Sequence, residues 1–293
     1  MCKRWEWNIH QIISKEQKVK KVFDFIKCNT LQIMETIALI IAFVVPNFIN
    51  IQEVFKGYLA ENVLAPDNFF YYLAISHGGL LASIIFSIAL WILITRKINK
   101  DYVMNKIRLY HDYSYGWYWF CAKILGIKQC SLVLVPIFMQ FKLVIRGTFD
   151  VYPLNMNEFP PIDNEADCKV TKMNTKLKTD EINLILEDTY SIQVEQIPKE
   201  KRDLSTIKIS RNNGISRGRH FSQKFIESTI DEIRKIKHIS MLNIFSTTNP
   251  MNTEHIAKRV FTLDTRGNID HIYVFQQSSD KKRNFENKGH KIL

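Results

Sequence analysis

Three short polar stretches carry the groups in this 293-residue chain best suited to holding a ligand. The first, RNNGISRGR, directly follows Ser210 and brings Ser210, Arg211, Asn212, Ser216, Arg217 and Arg219 together with Gly214 and Gly218. Glycine leaves backbone N–H groups open to approach, and each guanidinium presents a forked set of donors. The second runs Ser246, Thr247, Thr248, Asn249 and then Pro250. Asn249 has the chemistry of an N-cap and Pro250 suits the first helical position, so hydroxyls and free N–H groups would gather where a phosphate or ribose is held. The third is Gln276, Gln277 and Ser278. The expected ligand-binding set is Ser210, Arg211, Asn212, Arg217, Arg219, Thr247, Thr248, Asn249 and Gln276, and the expected ligand is a nucleotide-like anion.

Catalytic chemistry has less support. The chain holds no P-loop, GxGxxG, HExxH or CxxC sequence, so no catalytic residue, cofactor or metal is assigned. The five cysteines, Cys2, Cys28, Cys121, Cys130 and Cys168, lack metal-ligand spacing and read as reduced thiols. An anchored enzyme acting on a nucleotide or sugar-nucleotide would have to draw on His220, Asp188 or Glu254, none of which has a partner definable from sequence. His255 and His271 read as surface or capping residues. Asp264 and Asp270 flank a turn at Thr265, Arg266, Gly267 and Asn268 and read as structural.

The elements that must position these loops follow from periodicity. INLILE (Ile182 to Glu187) and STIKIS (Ser205 to Ser210) read as strands, and His220 to Lys237 places Phe221, Phe225, Ile226, Ile230, Ile233 and Ile236 at helical spacing. A strand follows at His238 to Phe245, a helix from Met251 to about Phe261, and a strand at His271 to Gln276. Alternating strands and helices predict a Rossmann-like, mostly parallel α/β sheet, in which ligands bind beyond the carboxyl ends of the strands. Upstream, Leu132 to Val135 and Met139 to Ile145 are rich in β-branched residues and read as strands separated by Pro136. Asn155 to Asp180 reads as an exposed loop, and the basic segment after Ser278 reads as a tail disordered at its end. This α/β domain is expected over residues 130–293.

The first third of the chain is organised differently. Two apolar runs, at about 31–51 and 69–95, are long enough to cross a bilayer and predict a two-helix transmembrane anchor over 31–95. The first run starts too far in, and lacks a small-residue cleavage site, for a signal peptide. Lysine and arginine cluster before the first run and after the second, from Arg96 to Arg108. The connecting loop carries only Lys56 against Glu53, Glu61 and Asp67. The positive-inside rule then puts both termini in the cytoplasm of a multi-pass cell-membrane protein. The formal charge of +11 has the same source, and without a nucleic-acid motif no direct nucleic-acid binding is expected.

Within the second run Gly79, Ser83 and Ser87 recur every fourth residue beside Gly78 and Ala82, a face suited to close helix packing within the hairpin or between subunits of a homo-oligomer. Glu35 and His77 are ionisable groups inside the runs. Antiparallel helices put Glu35 near the cytoplasmic end, within reach of Arg96 or Lys97, and His77 toward the other end. Residues 1–30 form a basic segment in which Val19, Val22, Phe23 and Ile26 lie opposite lysines, with Trp5 and Trp7 suited to headgroups. Residues 96–129, with seven aromatic residues between Tyr110 and Phe120, read first as a packed joint between anchor and domain, the alternatives being an aromatic belt or a stacking platform for bases.

A ligand-sensing α/β domain tethered to a two-helix anchor resembles, in layout, membrane effectors of bacterial defence and nucleotide-signalling systems. That layout implies a sensor or effector whose anchors self-associate in the lipid bilayer. A scaffold subunit of a membrane assembly has the same layout.

Overall fold

The computed structural model describes residues 16, 18–48, 78–162, 165–175, 180–211, 218–236, 238–261, 268–278 and 282–293. Trp5, Trp7, the loop between the apolar runs, His77 and the turn residues 264–267 lie outside them. The chain divides into two compact units: Met1–Leu109 with Gly116–Lys128, and Tyr110–Tyr115 with Gln129–Leu293.

The first unit is helical. Helix α1 (Lys18–Cys28) meets the next helix at an angle of 75°. Its residues Val19, Val22, Phe23 and Ile26 are all exposed among the described residues, an apolar face of the kind that lies on a bilayer surface. Helix α2 (Thr30–Phe48) packs against α3 (Gly78–Leu93), which widens into a π turn at Ile94–Ile98. Gly79–Ile98 alone is long and apolar enough to span a membrane among the described residues, and the bent pair of α1 and α2 passes only when taken together. Bulky side chains such as Ile85 and Phe86 face outward, as lipid contact requires.

Ser83 is fully buried, its hydroxyl donating to the Gly79 carbonyl at 2.9 Å. Ser83 is thus turned away from lipid, while Gly79 and Ser87 on the same face are half-buried. Ser83→Leu would put three carbons where one hydroxyl oxygen sits and is expected to cost about 1–3 kcal/mol of hairpin stability, whereas Ile85→Leu, at a position 65% exposed, should be silent. Thermal unfolding of the two variants in detergent separates them, and equal melting would mean that the stripe does not pack the hairpin.

Glu35 does not pair with Arg96 or Lys97, which are both exposed. Its partner is Asn99, whose amide donates at 3.0 Å. Helix α4 (Tyr115–Lys123) holds part of the aromatic cluster. In the first unit Trp117 donates to Asn29 at 2.9 Å, at the bend between α1 and α2, and packs edge-on against Phe25.

The second unit is built on a six-stranded sheet: β1 (Lys169–Met173), β2 (Glu181–Glu187), β3 (Ser205–Ser210), β4 (Ile239–Ser246), β5 (Ile269–Phe275) and β6 (His290–Lys291), in the order β1-β3-β2-β4-β5-β6. The central four are parallel, and both edges are antiparallel. The sheet is thus mixed, not the mostly parallel Rossmann-like sheet that the strand–helix alternation predicts. Two corrections account for the edges. The expected loop 155–180 contains β1, and the expected disordered tail returns as β6 with Ile292 fully buried.

A third correction concerns Met139 to Ile145, which is not a strand. Residues Ile137–Ile145 form helix α5 behind Pro136. The ring of Pro136 fixes the entry angle and supplies no N–H to a ladder. Burial of Met139, Phe141, Leu143, Val144 and Ile145 in the tertiary core outweighs the β-propensity of this run.

Helices α6 (Gln223–Arg234) and α7 (Pro250–Phe261) connect β3 to β4 and β4 to β5. They pack side by side, with α5 against α7, as right-handed crossovers in one direction dictate. The other face is covered by the β2–β3 connection and the returning tail, which bury Ile192, Ile197 and Phe285 against Ile185, Phe245 and Phe275.

Candidate functional site

Strand β2 lies at the centre of the parallel core. The chain leaves β2 for β3 on one side and leaves β4 for β5 on the other, so the strand order reverses between β2 and β4. Loops that depart in opposite directions leave a crevice at the carboxyl ends of the two strands. A cleft of about 230 Å³ opens there, lined by Thr189 and Tyr190 after β2, Ser246 to Pro250 after β4, Arg219, Gln276 and the start of α5.

Five of the nine predicted ligand residues meet in this cleft: Arg219, Thr247, Thr248, Asn249 and Gln276. Asn249 is the N-cap of α7, its side-chain oxygen accepting from the N–H groups of Met251 and Asn252 at 3.0 Å each. Thr248 exchanges hydrogen bonds with Ser246 (2.7 Å) and Thr253 (2.6 Å), and Thr247 donates to the Tyr190 carbonyl at 2.8 Å. These contacts fix the β4–α7 loop tightly. Gln276 accepts from the Ile137 N–H at 3.0 Å and so caps α5.

Ser210 ends β3 and Arg211 follows it, and neither lines the cleft. Arg211 is buried and turned inward. Its Nε meets Asp188 Oδ1 at 2.8 Å and Nη2 donates to the Gly218 carbonyl at 2.6 Å, so its guanidinium serves the fold. Asn212, Gly214, Ser216 and Arg217 lie outside the described residues.

Among the described residues two of the three acid–base candidates, Asp188 and Glu254, have partners for their side chains, whereas the buried His220 Nδ1 has none. Asp188, buried to 1% exposure, accepts at Oδ2 from the Asn249 N–H (3.1 Å), Asn249 Nδ2 (3.0 Å) and Asn252 Nδ2 (2.9 Å). Burial pushes its carboxyl upward from the usual range, against the opposing pull of Arg211 and the amide donors. The His220 carbonyl accepts from Asn249 and Asn252. Glu254 faces His255 and Lys258 on α7. None of the three lines the cleft.

Sequence reasoning missed several cleft residues. Tyr190 and Gln140 come from segments with no ligand-like motif, whereas Tyr110 belongs to the aromatic run that also reads as a platform for base stacking. Gln140 is the most informative. It is 5% exposed, its Nε2 donates to the Val135 carbonyl at 2.7 Å, and its Oε1 has no partner among the described residues. Gln277 adds a buried Nε2 likewise without one. A buried acceptor and a buried donor left open along one cleft are costly in an empty site and useful in an occupied one.

A comparison with curated proteins finds no significant match. Among solved structures, the Acinetobacter baumannii Cap4 SAVED/CARF-domain receptor with the cyclic trinucleotide 3'3'3'-cAAA aligns at 9% identity and TM-score 0.37, covering 54% of this chain and 36% of that one. The same receptor with 2'3'3'-cAAA aligns at 9% identity and TM-score 0.39, covering 56% and 38%. The chain thus spans little more than a third of the receptor's length. The match to a family model is far more extensive: the SMODS- and Ubiquitin system-associated 2TM effector domain, SUa-2TM, is matched across residues 15–293, and the chain belongs to this family of two-transmembrane membrane effectors.

Proposed function

We propose that this membrane effector acts in nucleotide-signalling defence, binding a nucleotide-like anion in the cleft between the β2 and β4 loops. The observation that carries the reading is the open Gln140 acceptor beside Arg219 and the capped start of α7, all at the one sheet edge where strand order reverses. A helix N-terminus and a guanidinium favour phosphate, whereas a buried amide acceptor favours the N–H edge of a base. Tyr110 and Tyr190 offer ring surfaces for stacking. In this reading the α/β unit and both termini face the cytoplasm, by the asymmetry of lysine and arginine around the two helices. Ligand binding drives two-helix anchors to associate, because two helices alone enclose no pathway across a bilayer.

Calorimetric titration of the full-length protein in nanodiscs against mono-, di- and cyclic oligonucleotides tests the first step. One class should bind, and Arg219→Ala should weaken it roughly tenfold, as loss of a charge-assisted contact implies. Absence of heat and of thermal shift at millimolar concentration across the panel would remove the reading. Cross-linking in native membranes with and without the bound ligand tests association.

A further inference from the structure

A concentration of unsatisfied polar chemistry also lies in the helical unit, where α2 meets the end of α3. Gln32 and Asn99 are fully buried there and Glu35 nearly so. Gln32 and Glu35 stand three residues apart on α2 and share a face. Asn99 is brought to them by the π turn, in which its backbone N–H reaches the Ile94 carbonyl at 2.9 Å. Turns of this kind are rare and recur at functional sites. The two protons of the Asn99 amide are spent on Glu35 Oε2, at 3.0 Å, and the Leu125 carbonyl, at 2.8 Å. Among the described residues four buried atoms are then left without a partner: Glu35 Oε1, Asn99 Oδ1 and both Gln32 amide atoms.

Three of those four atoms are oxygens, and one belongs to a carboxyl group. A proton on Glu35 would supply one donor and leave the amide oxygens unanswered. Water would supply donors but no countercharge for the carboxylate. Arg96 and Lys97, the cations nearby in sequence, face outward. A metal cation answers the three oxygens and the charge together, since carboxylate and carbonyl oxygens are the ligands that hard cations take, and leaves only the Gln32 Nε2 donor open. Charge decides its class. A monovalent ion makes the cluster neutral, whereas a divalent ion leaves a net positive charge out of water.

We propose that Gln32, Glu35 and Asn99 form a binding site for a monovalent metal cation of the sodium or potassium kind, with Glu35 Oε1 and the two amide oxygens as ligands. The site is independent of the nucleotide cleft. Its test is equilibrium retention of radiolabelled sodium and rubidium by the full-length protein in nanodiscs, with choline chloride holding ionic strength. Saturable retention of one ion is expected, competed by its own chloride salt and not by choline. Glu35→Gln keeps an acceptor and removes the charge, and should weaken retention at least about tenfold. The melting temperature should rise with the retained ion in the wild type and not in Glu35→Gln. No retained label together with identical melting in sodium, potassium and choline chloride overturns the proposal, leaving a cluster that holds water or a proton. Undiminished retention by Glu35→Gln also overturns it. Should that variant fail to fold, the wild-type retention measurement decides alone.

Discussion

Replacing Asp188 by alanine is expected to cost the α/β unit about 3–5 kcal/mol, because it strands the buried Arg211 guanidinium without its countercharge. The carboxylate is a junction: it joins the end of β3, through Arg211, to the cap of α7, through Asn249 and Asn252. Asp188→Asn preserves the shape but removes the charge, and should lose most of the same stability. Arg211→Met should be milder than Asp188→Ala, since the amides of Asn249 and Asn252 still answer the carboxyl group and a raised affinity for protons lets it neutralise. The double variant should be less destabilised than the sum of the singles, which isolates the coupling. Hydrogen exchange of β2 and α7 peptides in the full-length protein reads these losses locally. A change below about 1 kcal/mol for Asp188→Ala would mean that the pair is solvated and the junction is not as described.

Phe285→Ala should be comparably severe, at about 3–5 kcal/mol. This side chain lies in the segment whose composition predicts a disordered tail, yet it is 4% exposed and meets Phe245 edge-on at 5.2 Å between ring centroids. Phe245 in turn stacks on Phe275 at 4.5 Å, and the cluster closes the sheet face that lacks helices. Truncating Phe285 leaves a cavity that the β2–β3 connection cannot fill, being held by the Ile192 N–H to Glu187 at 3.0 Å. The adjacent Phe285 N–H to Gln196 carbonyl bond, at 2.9 Å, should weaken with it. Denaturation of Phe285→Ala beside the exposed control Lys291→Ala tests this, and two equal midpoints would return the tail to the disordered class.

The sequence by itself determined the elements whose signal is local. Ser205 to Ser210 is the strand as read, and β2, β4, β5 and α7 differ from their expected bounds by one or two residues. α6 is shorter at both ends than its apolar spacing predicts. The Asn249–Pro250 helix start was legible for the same reason, because a cap is a contact between near neighbours. Apolar length likewise marked the membrane helices, and the family match agrees with two.

What only the tertiary structure decided depends on partners distant in sequence. β1 is mostly exposed and becomes a strand through pairing with β3, and α5 becomes a helix because it is buried. Arg211 and Arg219 look alike as sequence. Folding brings Asp188 to Arg211 and desolvates both, which removes Arg211 from the cleft and leaves Arg219 at its edge. Glu35 and Asn99, 64 positions apart, are joined only by a π turn that no local pattern announces. Periodicity records which face of an element is apolar, whereas the partner of a buried charge is set by chain topology and by the cost of leaving that charge alone.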